Sequence, residues 1–286
     1  MIKEEAWAKL NLNLHLLPKK LPNGFYPVKF INCQLDLHDE LLFFSQQKKI
    51  EIICDHPEIP EEKVNLIYKA ALLIKEIVNN DNLGAKIVLQ KNIPIKAGLG
   101  GGSSDAAAAI QGLRKLWKIE LTNQQLFYLA DTLGKDVFYC LKGGVCEISG
   151  DGSLVKKLFS RMPTLWLIII VPKENKPSTE FMYKNLDPKK IGGNLDTLEK
   201  LLIAIKSKNK HGIINNLFNE FDFLAQERFP VLKKIQSDLQ RAGALNTMID
   251  GAGLAVCGFF DSKARMVQSA GKLLNDYQQI MYAKTK

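Results

Sequence analysis

From residue 5 to residue 17 the chain alternates: Leu10, Leu12, Leu14 and Leu16 fall on one side, Lys9, Asn11, Asn13 and His15 on the other. A period of two is that of a half-buried strand, so Lys9 and Asn11 share its polar face. Pro22-Asn23-Gly24 has turn composition and leads into a second extended stretch over 28–44, with shorter strands predicted at 49–54 and 85–90. Between those last two, Val64, Ile67, Ala70, Ala71, Ile74, Ile77 and Val78 recur at helical spacing. Thr122 and Gln125 form a capping box that opens a helix carrying Leu126, Leu129, Ala130 and Leu133, and Gly134 is placed to end it, leaving Asp136 in the following loop. Gly143-Gly144 marks a turn, and residues 164–171 read as a buried strand near the start of a second half. That half shows helical patterns at 178–186, 195–207, 211–225 and 228–242. A Gly-containing extended stretch over 246–260, a helix from Ser262 and a last short strand complete it. Strands and helices mix without a regular βαβ rhythm, which favours an α+β class. The expected domains are 1–158 and 159–286, and no internal repeat is visible.

Composition narrows the class. With 286 residues and 46% hydrophobic content the chain can bury a full core, as one large or two medium domains. Met-Ile-Lys-Glu-Glu at the start lacks the basic and apolar regions of a leader, and the apolar run at 165–171 is too short to span a bilayer. The expectation is a cytoplasmic protein with no membrane partner. The cysteines, Cys33, Cys54, Cys140, Cys146 and Cys257, are odd in number and never arranged as CxxC, which suggests neither a disulfide framework nor zinc. His15, His38, His56 and His211 fall in no ligand spacing. A net charge of +9 favours anionic partners, namely nucleic acid, lipid or a phosphorylated substrate. The lack of any long block of like charge argues against nucleic acid.

The segment Pro94-Ile95-Lys96-Ala97-Gly98-Leu99-Gly100-Gly101-Gly102-Ser103-Ser104-Asp105-Ala106 holds the chemistry. Its glycines let backbone amides converge on a bulky anion. Ala106, Ile110, Leu113 and Trp117 then form an apolar helical stripe, so the loop empties into a helix N-terminus that favours phosphate. Ser103 and Ser104 are expected to cap that helix or to face a phosphate and its Mg²⁺. There is no Gly-Lys-Ser/Thr, which excludes a Walker A loop, and no Rossmann fingerprint.

This segment resembles the phosphate-binding motif of the galactokinase, homoserine kinase, mevalonate kinase and phosphomevalonate kinase superfamily. Residues 98–106 resemble in particular its 4-diphosphocytidyl-2-C-methyl-D-erythritol kinases. Ala8-Lys9-Leu10-Asn11-Leu12 is similar to the family's N-terminal signature, and Gly134-Lys135-Asp136-Val137 to its Gly-Ala-Asp-Val, so the similarity covers essentially the whole chain. Taken alone, a strand lysine is usually exposed and a loop aspartate usually a turn residue; the combination promotes both. The resemblance implies an N-terminal ribosomal-protein-S5-like domain and a C-terminal ferredoxin-like domain, with the active site in the cleft between. It implies ATP and Mg²⁺, held by residues Pro94, Ile95, Lys96, Ala97, Gly98, Leu99, Gly100, Gly101, Gly102, Ser103 and Ser104. Asp136 would accept the proton of the attacking hydroxyl, and Lys9 would keep Asp136 ionised and stabilise the transferring phosphoryl group. The small-molecule substrate would meet Asn11, Phe25, Tyr26 and Tyr183. The protein would be a monomer or weak homodimer.

Three departures from the family pattern stand out. Asn23-Gly24-Phe25-Tyr26 replaces Asp-Gly-Tyr-His, so cytosine recognition would fall to Phe25 stacking, to backbone groups or to the Tyr26 hydroxyl. Met248-Ile249-Asp250-Gly251-Ala252-Gly253 replaces Met-Ser-Gly-Ser-Gly, and a carboxylate at 250 would repel phosphate unless it faces Mg²⁺, a lysine or solvent. Lys135 and Phe138 replace a small residue and a proline; Lys135, if close, would lower the pKa of Asp136. Two alternatives stay open: a superfamily kinase for another alcohol such as mevalonate or homoserine, and a non-catalytic nucleotide- or RNA-binding module.

Overall fold

The computed structural model describes residues 1–22, 24–60, 64–174, 178–277 and 279–286; Asn23, in the expected turn at 22–24, lies outside them. The first elements are β1 (Ile2–Leu16), β2 (Val28–Gln47), β3 (Ile50–Cys54), α1 (Leu66–Ile77), β4 (Leu83–Gln90), α2 (Gly101–Trp117), α3 (Asn123–Leu133) and α4 (Lys135–Lys142). A hairpin of β5 (Val145–Gly150) and β6 (Leu154–Phe159) precedes β7 (Trp166–Ile170), α5 (Thr179–Lys184), α6 (Asp196–Lys206), α7 (Lys210–Asn215), β8 (Phe218–Asn219) and α8 (Asp222–Arg228). The chain closes with α9 (Pro230–Ala242), β9 (Asn246–Ile249), β10 (Val256–Phe260), α10 (Lys263–Leu273) and β11 (Ile280–Lys284). One sheet has the order β3-β4-β2-β1-β8 with β5 on β2 and β6 on β5; the other has the order β11-β7-β10-β9.

Two compact units divide the chain. The first comprises Met1–Lys9, Leu37–Ile95 and Gly100–Lys142. In it β2 and β4 run antiparallel, with Leu41 opposite Leu89 and Phe43 opposite Ile87, while β3 joins β4 in parallel. A parallel pair needs a crossover, and α1 supplies it, opened by Asn65, whose side chain accepts the Ile67 amide. Ile67, Ala70 and Ile74 of α1 pack with Ala106, Ala109, Ile110 and Leu113 of α2 over that sheet. Helix α2 comes close because it carries alanines and Gly112: a side chain at Gly112 would stand 2.3 Å from the Phe43 ring.

The second unit comprises Leu10–Asp36, Lys96–Leu99 and Gly143–Lys286. Its four-stranded sheet is antiparallel throughout, with Ile168 of β7 between Gly258 of β10 and Tyr282 of β11. Helices α9 and α10 cover it. They bury Leu232, Ile235 and Leu239 from one helix, and Met266, Ala270 and Leu273 from the other.

Several local expectations need correction. Strand β1 is not half-buried: Lys9, Asn11, Asn13 and His15 are as enclosed as the leucines, at 4%, 3%, 0% and 0% exposure. Part of the cost of burying them is offset by hydrogen bonds, as where Asn13 Nδ2 donates to Thr197 Oγ1 and the Asn216 carbonyl at 3.0 and 2.9 Å, while Asn13 Oδ1 and His15 Nδ1 are buried without a hydrogen-bond partner. The helical pattern at 211–225 is broken into α7, β8 and α8. Phe218 there pairs with Asn13 of β1, so a tertiary ladder overrides local periodicity. Asp136 is not in a loop but in the first turn of α4, a helix hidden from the pattern because a single residue, Gly134, separates it from α3. The hairpin β5–β6, turned by Gly150 and Gly152 at φ 71° and 97°, has no counterpart among the elements expected from the pattern.

Candidate active site

The Gly-rich segment divides at its middle. Lys96, Gly98 and Gly100 take left-handed backbone at φ 59°, 102° and 70°. Pro94 and Ile95 are half-buried, Lys96 is exposed, and Ala97 and Leu99 are buried. Helix α2 begins at Gly101, with Gly100 as its N-cap, so Ser103 and Ser104 lie within its first turns and do not cap it. The first helical bond runs from the Ser104 amide to the Gly100 carbonyl at 2.9 Å. The amides of Gly101, Gly102 and Ser103 precede it and are the groups a helix start offers to an anion. Ser104 has its amide in that bond, and its buried hydroxyl donates to the Trp7 carbonyl at 2.5 Å.

Within the first unit, Lys9, Gly100, Ser104 and the start of α4 converge. The buried Lys9 stem runs over Gly100, where an added side chain would lie 2.7 Å from Lys9 Cγ. Gly134, just before α4, has Ser103 Oγ at 3.9 Å from its own side-chain position, so the first turns of α2 and α4 adjoin. Cys140, one helical turn after Asp136, approaches Ser104 Oγ to 3.3 Å. Burial pushes its thiol up to about 12, with the Ser104 hydrogen bond opposing this. Asp136 is half-buried at a helix N-terminus, where the helix dipole favours an anion. The Lys135 ammonium is drawn to Asp131 at 2.8 Å, four residues back.

Asp250, for which the sequence pattern offers no role, is fully buried, and its Oδ1 accepts the Asn11 amide of β1 at 2.8 Å. The glycines of the same turn serve close approach. A side chain on Gly253 would be 2.2 Å from the Ala97 carbonyl oxygen, and one on Gly98 would be 2.6 Å from that of Asp250. The Ala255 amide donates to Ala97 O at 3.0 Å, and Asn219 Nδ2 donates to the carbonyls of Ile249 and Gly251 at 2.8 Å each. The turn thus braces the start of the Gly-rich loop. Sequence reasoning misses Asn219 because its role is backbone bracing, which leaves only a single residue in the sequence; Gly253 stands in the motif at 248–253, where its close approach to Ala97 has no sequence signal.

Asn11 also donates from Nδ2 to Asn32 Oδ1 at 2.8 Å. Phe25, 45% exposed, meets Tyr183 edge-on at 5.8 Å between ring centroids, and Tyr183 meets Phe221 at 5.0 Å. Two of the three aromatic residues singled out in the sequence are therefore neighbours, and Phe221 extends the row. Tyr26 turns inward, 6% exposed, with Lys20 Nζ 5.0 Å above its ring.

A buried ion cluster, also missed by sequence reasoning, adjoins α2. Lys91 Nζ lies 2.5 Å from Asp39 Oδ2 and 2.8 Å from Asp105 Oδ2. No residue of it sits at a spacing that flags it in sequence, since Asp39, Lys91 and Asp105 come from separate elements.

Comparison with known proteins bears on the family of the chain. Residues 65–144 match the family described as "GHMP kinases N terminal domain". A 4-diphosphocytidyl-2-C-methyl-D-erythritol kinase of Clostridium botulinum (strain Alaska E43 / Type E3) is 33% identical over 281 residues, 98% of this chain and 99% of the relative. That of Caldicellulosiruptor saccharolyticus is 34% identical over 282 residues, 98% of this chain and 96% of the relative. A crystal structure of 4-(cytidine 5'-diphospho)-2C-methyl-D-erythritol kinase superposes with TM-score 0.84 at 28% identity, covering 99% of both chains. L. major mevalonate kinase, at 13% identity, TM-score 0.77 and coverage of 100% of this chain and 96% of the other, shares the mixed α/β fold. With a third of its residues shared over nearly its whole length with such relatives, the chain belongs to the family of 4-diphosphocytidyl-2-C-methyl-D-erythritol kinases.

Proposed function

We propose that this chain transfers the γ-phosphoryl group of ATP to the 2-hydroxyl of 4-diphosphocytidyl-2-C-methyl-D-erythritol, a step of the non-mevalonate isoprenoid pathway. The observation that supports it most is that Lys9, Ser104 and the α4 turn carrying Asp136 lie against the start of α2, in a chain that shares a third of its sequence with kinases of that name. In this reading the amides of Gly101, Gly102 and Ser103 take the nucleotide's phosphates, with Pro94, Ile95, Lys96, Ala97, Gly98, Leu99 and Gly100 shaping the approach. Ser104 supports them, its hydroxyl tying α2 to β1. Asp136 accepts the proton of the attacking hydroxyl, and Lys9 neutralises charge gathering on the transferred group. Positioning and charge compensation of this kind carry most of a phosphoryl transfer. Among the described residues no group of three or more His, Cys, Asp or Glu side chains is gathered for a metal ion, and Mg²⁺ enters as part of the Mg-ATP substrate.

Phe25 and Tyr183 offer a stacking surface for the cytosine ring, and Asn11 a polar contact. Tyr26, turned inward, supports the Phe25 loop in this reading. The sheet order β11-β7-β10-β9, with α9 leading into β9 and α10 linking β10 to β11, supports a ferredoxin-like domain over 159–286, into which α5 to α8 are inserted after β7, following a ribosomal-protein-S5-like domain over 1–158. We take the enzyme to act in the cytoplasm as a monomer or weak homodimer; no helix among the described residues is long and apolar enough to cross a membrane. The test is product analysis by phosphorus and carbon NMR after incubation with Mg-ATP. A new phosphomonoester coupled to C2 of the methylerythritol supports the reading, and phosphorylation at another position or none overturns it.

A further inference from the structure

The chain enters the Gly-rich segment through Lys91, directly after β4, and holds that residue with two carboxylates. The Lys91, Asp39 and Asp105 side chains are 3%, 0% and 6% exposed, so the cluster is closed to water. Asp39 uses its other oxygen for the amides of Asn92 and Ile93, at 2.5 and 2.7 Å, and so fixes the backbone on the way into the loop. Asp105 lies in the second turn of α2, and its Oδ1 is buried without a hydrogen-bond partner. The ammonium reaches the helix start itself: a side chain at Gly101 would stand 3.3 Å from Lys91 Nζ.

The charge balance bears on what such a cluster does. Two ionised carboxylates around one ammonium would leave a net negative charge beside an anion site, which opposes phosphate. Burial pushes the Asp105 carboxyl upward, against the pull of Lys91, and Asp39 adds to the rise. Burial pushes the Lys91 ammonium down, but Asp105 and Asp39 more than restore it. The cluster therefore favours a charged lysine with one carboxyl holding a proton. Its positive member is the one against Gly101.

We propose that Lys91, clamped by Asp39 and Asp105, is a positioning residue for the nucleotide. It locks the first turn of α2 and turns the positive end of a charge-balanced cluster toward the Gly101–Ser103 amides, setting how tightly phosphate is held without touching the alcohol. The proposal rests on the kinase reading above, and its test reads nucleotide affinity separately from turnover.

The experiment is calorimetric titration of the full chain with ADP, together with kcat and both KM values and urea midpoints, for wild type, Lys91→Met, Lys91→Arg, Asp105→Asn and Asp105→Ala. Lys91→Met is expected to weaken ADP binding and raise the KM for ATP by about tenfold or more, the worth of one charge-assisted interaction. The KM of the acceptor should stay within about twofold, because in this proposal Lys91 acts on the phosphates alone. Lys91→Arg should restore most of the loss. Asp105→Asn, which keeps an oxygen toward the ammonium, should bind ADP like wild type, whereas Asp105→Ala should not. A folded Lys91→Met with unchanged ADP affinity overturns the proposal. So does a loss in which affinity, kcat and both KM values worsen together with the urea midpoint. Should Lys91→Met fail to fold, equal ADP binding by the two Asp105 variants overturns it. Absence of turnover in wild type with normal ADP binding would strike the acceptor assignment alone.

Discussion

Replacing Gly253 by Ala isolates the bracing of the Gly-rich loop by the C-terminal glycine turn. Its φ lies outside the left-handed range, so alanine meets no intrinsic backbone penalty and the effect is steric. The new methyl would stand 2.2 Å from Ala97 O, 2.6 Å from Gly98 Cα and 2.7 Å from Ala97 C, all backbone atoms that cannot swing away. Ordinary contact needs about 3.5 Å, so loop and turn must part by roughly 1 Å. That separation strains or breaks the Ala255 N–Ala97 O hydrogen bond, now 3.0 Å. Overpacking of this kind costs about 1–3 kcal/mol and the hydrogen bond about 1 more, so the variant should lose roughly 2–4 kcal/mol in urea denaturation. A displacement of about 1 Å at a positioning loop costs about 100-fold in rate. The assay is kcat/KM for ATP at saturating acceptor, at a temperature where the variant is fully folded. Activity within about threefold of wild type and an unchanged urea midpoint would refute the bracing argument.

Three other perturbations address separate parts of the account. Phe25→Ala removes an exposed ring and its contact with Tyr183; it should raise the acceptor KM by about 3–10-fold while ATP KM and kcat hold, by steady-state kinetics. Asp250→Ala strips the Asn11 amide of its acceptor inside the protein and should cost about 1–3 kcal/mol, read as a lowered urea midpoint. His15 is held near a pKa of about 4, chiefly by burial, with Asp196 raising it and Lys29 lowering it. It is thus neutral in the folded chain at pH values where the unfolded chain protonates it. The stability difference between wild type and His15→Gln should therefore shift against wild type as pH falls from the ordinary histidine value toward 4, measured by urea midpoints across that range.

Features set by local periodicity are legible in the sequence: the alternation of β1, the Thr122 capping box, the stripe of α2 and the Ser262 helix start. Those that escape it depend on partners far along the chain. The polar face of β1 reads as exposed until Asn32, Thr197 and Asn216 meet it. Helices α3 and α4 merge in the pattern because one glycine separates them. Residues 211–225 keep helical spacing, yet Phe218 is drawn into a ladder with β1. The Gly-rich segment, Lys9 and Asp136 are singled out by motif, as are Phe25 and Tyr183. Asp39, Lys91 and Asp105 act only as a buried group, and Asp250 only as an acceptor for a strand amide, so neither carries a local signature.

The most direct test of the central claim is ADP release by the purified chain with Mg-ATP, comparing 4-diphosphocytidyl-2-C-methyl-D-erythritol with mevalonate, homoserine and no acceptor, and with Asp136→Ala as the control. The account expects turnover with the cytidine compound alone, lowered by about 100-fold or more in Asp136→Ala as befits loss of a general base. Equal turnover with mevalonate or homoserine, or undiminished turnover in Asp136→Ala, would contradict it.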